Sequence, residues 1–71
     1  MTADELIRRL RRAARARGVP FEVETRRGKG SHAVVYFGTR RTILPTHRRK
    51  DLPKGTLRSI LRALAVDEDE L

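Results

Sequence analysis

Apolar positions recur with a helical period from residue 3 to residue 17. Leu6, Ile7, Leu10 and Ala14 fall on one stripe, with Ala3 and Ala13 beside it. Thr2 and Glu5 fit a capping box ahead of this stripe. Gly18 suits a C-cap, and Pro20 stands where a helix does not readily continue. The period then changes to two. Over residues 21–26, Phe21, Val23 and Thr25 alternate with Glu22, Glu24 and Arg26, the pattern of a half-buried strand. Arg27-Gly28-Lys29-Gly30 reads as a turn. Residues 31–37 read as a second strand ending at Gly38. Gly38-Thr39-Arg40 is a short connection, Arg41 to Leu44 a third strand, and Pro45 its end or an edge.

The second strand is apolar in both phases. Ala33, Val35 and Phe37 form one set, and His32, Val34 and Tyr36 the other. Helices must cover one sheet face, because their stripes need a partner. We assign Ala33, Val35 and Phe37 to the helices, since the reverse buries His32. Val34 and Tyr36 then lie beside His32 on the open face, an apolar and aromatic patch flanked by arginine.

Residues 45–55 read as a basic loop with His47, Arg48, Arg49, Lys50 and Lys54, in which Asp51 is the sole acid and Leu52 an anchor to the core. A second helix begins around Lys54 to Thr56, with Leu57, Ile60, Leu61 and Leu64 as its buried stripe. Asp67 to Glu70 form an acidic tail, expected to fray in solvent rather than to lie over basic surface until a ligand displaces it. The result is a single α+β domain over residues 1–71, ordered α-β-β-β-α. Its three strands form an antiparallel meander, both helices lie on one face, and the tail spans 67–71.

Charge changes this picture most. Seventeen Lys and Arg stand against nine Asp and Glu, a net +8. Between Leu6 and Val66 the 17 bases meet only Glu22, Glu24 and Asp51, so that segment carries 17 − 3 = +14. Such a field attracts a polyanion. Fourteen of the bases are arginine, which suits bidentate phosphate contact. A chain of 71 residues supports one modest core. With no cysteine, neither disulfides nor thiolate zinc reinforce it. The chain start lacks a basic region followed by an apolar run, and no stretch approaches the roughly 20 apolar residues of a membrane span. A cytoplasmic location without membrane partners is therefore expected.

His32 is the candidate for chemistry. An imidazole near neutral pH can take or give a proton. In RNA the 2′-hydroxyl is an internal nucleophile, so cleavage needs a base, an acid and positive donors around the phosphate, without a metal. Lysine and arginine side chains and the Gly30 and Ser31 amides are candidate phosphate donors. His47 is a candidate RNA contact or second proton-transfer group. Tyr36 reads equally as a base-stacking residue and as an ordinary sheet residue. Gly28 and Gly30 read first as turn residues, because no Gly-Lys-Ser or Gly-Lys-Thr follows at P-loop spacing. Ser31 lacks a G-x-S-x-G elbow. The acids are too scattered for a two-metal nuclease, so neither metal nor cofactor is expected.

Gly30-Ser31-His32, the segment Pro45-Thr46-His47 and the run from Lys50-Asp51-Leu52-Pro53-Lys54-Gly55-Thr56 to Leu61 together resemble the HicA (YcfA-like) family of bacterial mRNA interferase toxins. The resemblance extends from Leu6 to Val66. It implies a fold like the double-stranded-RNA-binding domain, ribosome-independent mRNA cleavage and a HicB-like antitoxin that covers the active surface. It maps the catalytic histidine onto His32 and gives His47 a role in RNA contact or support. The RNA-binding set expected around His32 is Lys29, Gly30, Ser31, Tyr36, His47, Arg48, Arg49, Lys50 and Lys54. The chain departs from the family in a longer, more basic Ala13–Pro20 segment, in Ala33 where a polar residue or second histidine is frequent, and in the acidic tail. A non-catalytic RNA-binding module and a protein-interaction module are the alternatives.

Overall fold

The computed structural model describes residues 1–25, 32–46 and 50–71. The elements run α1 (Ala3–Arg17), β1 (Phe21–Thr25), β2 (His32–Phe37), β3 (Arg40–Pro45), α2 (Lys54–Leu64) and a 3₁₀ turn, Glu68–Glu70. This is the expected α-β-β-β-α order. The strands form one antiparallel sheet in the order β1-β2-β3.

Local chemistry explains the element ends. Thr2 caps α1, its hydroxyl accepting from the Glu5 amide at 3.2 Å. The Glu5 carboxylate lies 4.0 Å from Arg9, one turn on. Gly18 ends α1 with φ 70°, and Val19 N–H donates to the Ala14 carbonyl. α1 thus runs to Arg17, as the helical period over residues 3–17 predicts. Gly38, with φ 62°, is the first of two residues between the paired Phe37 and Arg40, where a tight hairpin needs glycine.

The register places Val23, Val35 and Thr42 in one row and Phe21, Phe37 and Arg40 in another. Ala33, Val35 and Phe37 are buried, as assigned from the sequence. Val35 and Phe37 join Leu44 of β3 and the stripes of both helices in one core. α1 lies over β1 and α2 over β3. Leu6, Leu10, Leu44, Leu64 and Val35 are completely enclosed. Each such side chain contributes on the order of 1.5–3 kcal/mol by leaving water.

The tail corrects the expectation that its acids fray. Arg17 holds Glu70 through Nε at 2.6 Å and through Nη2, and Nη2 also donates to the Ala65 carbonyl at 2.8 Å. Arg12 donates to the Leu71 carbonyl at 2.7 Å. A helix as basic as α1 offers the last residues paired charge and hydrogen bonds, which outweigh the freedom lost by docking. The Arg17 hydrogen bond, and then the Asp67 amide, hold the Glu70 carboxyl below its usual range.

A lowered carboxylate pKa gives stabilisation that is complete above the ordinary carboxylate range and is lost as pH falls through the folded value. NMR of the Asp67 and Leu71 amides on acidification should therefore show the tail releasing before the core unfolds. Ala65 caps α2 with φ 57°, a region costly for any residue bearing a Cβ. Ala65→Gly should stabilise by about 0.5–1 kcal/mol, raising the melting temperature by a few degrees in thermal denaturation.

Candidate active site

The strand pairing builds this site. His32 opens β2 and is exposed, and its register partner is Pro45, the last residue of β3. Pro45 has no N–H to extend the ladder, so pairing stops there. Because Val35 and Phe37 point into the core, His32, Val34 and Tyr36 lie on the helix-free face. The open-face placement of His32 beside Val34 and Tyr36 therefore stands.

Pro45, Lys50, Asp51, Leu52, Pro53 and Thr56 line a cleft of about 310 Å³. The backbone at Asp51 and Leu52 is tied to the chain start. Leu52 N–H donates to the Met1 carbonyl at 2.8 Å, and Asp51 bridges Thr2. The Leu52 side chain packs on the core, as its anchor role requires. Asp51 thus serves the scaffold, its carboxylate lying 3.1 Å from the Met1 ammonium. Lys50 is exposed at the cleft edge, and Lys54 is exposed in the first turn of α2. The structure therefore gathers His32, Pro45 and Lys50 at one end of the sheet, with Lys54 following on α2.

Tyr36 is half-buried further along β2 and lines a second open-face cleft with Val34, Arg41, Thr42 and Ile43. It stands about 13 Å along the strand from His32, at ~3.3 Å per residue. Arg41 and Ile43 were not singled out from the sequence, although the period-two pattern of β3 carries them. Lys29, Gly30, Ser31, His47, Arg48 and Arg49 lie outside the described residues. Among the described residues, no three His, Asp or Glu side chains converge to hold a metal ion. Ala33 is buried on the helix-facing side, so that departure leaves the His32 face unchanged.

Comparison with known proteins adds the decisive observation. Residues 3–66 match the family described as the HicA toxin of bacterial toxin–antitoxin systems. The chain belongs to the HicA toxin family. A curated relative from Pseudomonas fluorescens (strain Pf0-1), named probable mRNA interferase HicA, is 34% identical over 58 residues, covering 82% of this chain and 90% of that protein. No solved structure matches the chain. No helix among the described residues is long and apolar enough to cross a membrane.

In this HicA-family chain the helix arginines divide their tasks. Arg11 stacks over Phe21 at 5.5 Å and Arg17 over Phe37 at 5.2 Å. With Arg12 and Arg17 holding the tail, part of the α1 charge is committed within the fold. Among the described residues, the exposed His32 makes no such structural contact. His32→Ala should therefore shift unfolding stability by no more than about 0.5 kcal/mol in denaturant titrations.

Proposed function

We propose that this HicA-family protein is an endoribonuclease toxin that cleaves mRNA in the cytoplasm, with His32 as its general acid or base. The observation that carries this reading is an exposed histidine at the sheet end, paired with Pro45 of the Lys50 cleft, in a segment of charge +14. The name of the Pseudomonas relative supports mRNA as the substrate class.

In the base role, His32 removes the proton of a 2′-hydroxyl, and the 2′-oxygen attacks the adjacent phosphorus. The bond to the 5′-oxygen breaks, and that oxygen takes a proton from a second group, for which His47 is the candidate. The products are a 2′,3′-cyclic phosphate and a 5′-hydroxyl. Lys50 and Lys54, with Lys29, Arg48, Arg49 and the Gly30 and Ser31 amides, supply positive charge and donors to the phosphates. No metal is needed in this scheme. A HicB-like antitoxin would silence the toxin by covering the His32 face, a role suited to an acidic protein surface.

The test is cleavage of purified RNA with end-group analysis. His32→Ala should lower the rate by about a hundredfold or more while circular dichroism stays native. A 2′-deoxy substitution at the cut site should block cleavage. Undiminished cleavage by His32→Ala would overturn the catalytic assignment, and a cut deoxy linkage would overturn the internal nucleophile.

A further inference from the structure

The open sheet face is divided lengthwise. On β1 it carries Glu22 and Glu24, both exposed. On β3 it carries Arg41 and Ile43. Ile43 is 60% exposed, the only exposed large hydrophobic among the described residues. Tyr36 and Val34 form the middle row. The register puts Tyr36 between Glu22 and Arg41, and Val34 between Glu24 and Ile43. Val34 is 5% exposed although no helix covers its face, so it is the floor of a cleft of about 450 Å³ whose walls include Tyr36, Arg41 and Ile43.

Ile43, Tyr36 and the Val34 floor make one contiguous apolar lining rather than a single exposed side chain. That combination serves a ligand with flat apolar faces. The charge beside it selects the ligand. Arg41 draws phosphate to the β3 side, and no carboxylate among the described residues pairs with it. Glu22 and Glu24 repel phosphate from the β1 side. The β2–β3 seam then leads to His32 and Pro45, and past them to Lys50.

We propose that this seam is a subsite for single-stranded RNA, in which Tyr36 and Ile43 pack against bases to one side of the scissile bond and Arg41 holds their phosphate. It rests on the reading of His32 as the cleavage site and adds where the flanking nucleotides lie. Stacking requires bases freed from pairing, so the substrate is single-stranded where it crosses the sheet. The geometry gives the three residues separate signatures. Tyr36 and Ile43 act through base faces, so they change affinity without changing its salt dependence. Arg41 acts through charge, so it changes both.

The experiment is fluorescence-anisotropy titration of uncleavable 2′-O-methyl oligonucleotides, single-stranded and as duplexes, over a salt series. It compares wild type with Tyr36→Ala, Tyr36→Phe, Ile43→Ser and Arg41→Ala, each checked by circular dichroism. Tyr36→Ala and Ile43→Ser should weaken single-strand binding by about tenfold, with the salt slope unchanged. Tyr36→Phe should bind as wild type. Arg41→Ala should weaken binding and lower the salt slope by about one. Duplex binding should not respond to Tyr36 or Ile43. Wild-type affinity in both Ile43→Ser and Arg41→Ala would overturn the proposal, with Ile43 exposed enough that its variant folds. Equal losses on single strands and duplexes would overturn it as well. So would variants that bind RNA normally yet no longer bind the cognate antitoxin, which would assign the face to a protein partner. Stacking signatures in a wild-type protein that cleaves no RNA would uphold the subsite while overturning the nuclease reading.

Discussion

The phase of β2 is the constraint on which the rest of the structure depends. Its six residues are apolar in both phases except for His32, and only one phase can face the helices. Val35 sits at the centre of the sheet, between Val23 and Thr42, with no exposure at all. Once Val35 and Phe37 point inward, the stripes of both helices have their floor, and His32, Val34 and Tyr36 must point out. A slip by one residue would turn His32 under the helices and send Val35 into water. The register that stabilises the core and the exposure that gives His32 access to a ligand are therefore one choice.

A protein this basic must also keep its own charges from opposing its fold. It does so by using some arginines as packing groups. Arg11 and Arg17 lie over Phe21 and Phe37, whose rings meet edge to face at 6.4 Å. Arg17 in addition draws the tail back onto α1, so the acids at the chain's end offset charge near the Phe37 end of the sheet. His32 and Lys50 stand at the other end.

Most of the architecture was legible from the residues. The helix boundaries of α1, the alternation in β1 and the order of elements came from period, caps and turn residues, which are local properties. His32 was legible as a candidate through the Gly30-Ser31-His32 element and the run from Lys50 to Leu61, and the β2 pattern already put it on the open face. The docked tail was not legible. Arg17 and Glu70 are 53 residues apart, and nothing in either neighbourhood names the other. Arg41 and Ile43 were missed for a related reason. Each is ordinary alone, and they matter because pairing sets them beside Tyr36 and Val34.

The sequence by itself determined the elements, the single core and a cationic character suited to RNA, because period, chain length and charge act without knowledge of what lies across the fold. Tertiary structure decided which groups share a surface. It divided the open face into an acidic β1 side and an arginine-bearing β3 side, and set Pro45 against His32. It also bound Glu70 to Arg17. The physical reason is that strand register and side-chain pairing are relations between distant residues, settled by which arrangement buries the most apolar area while leaving the charged groups paired or in water.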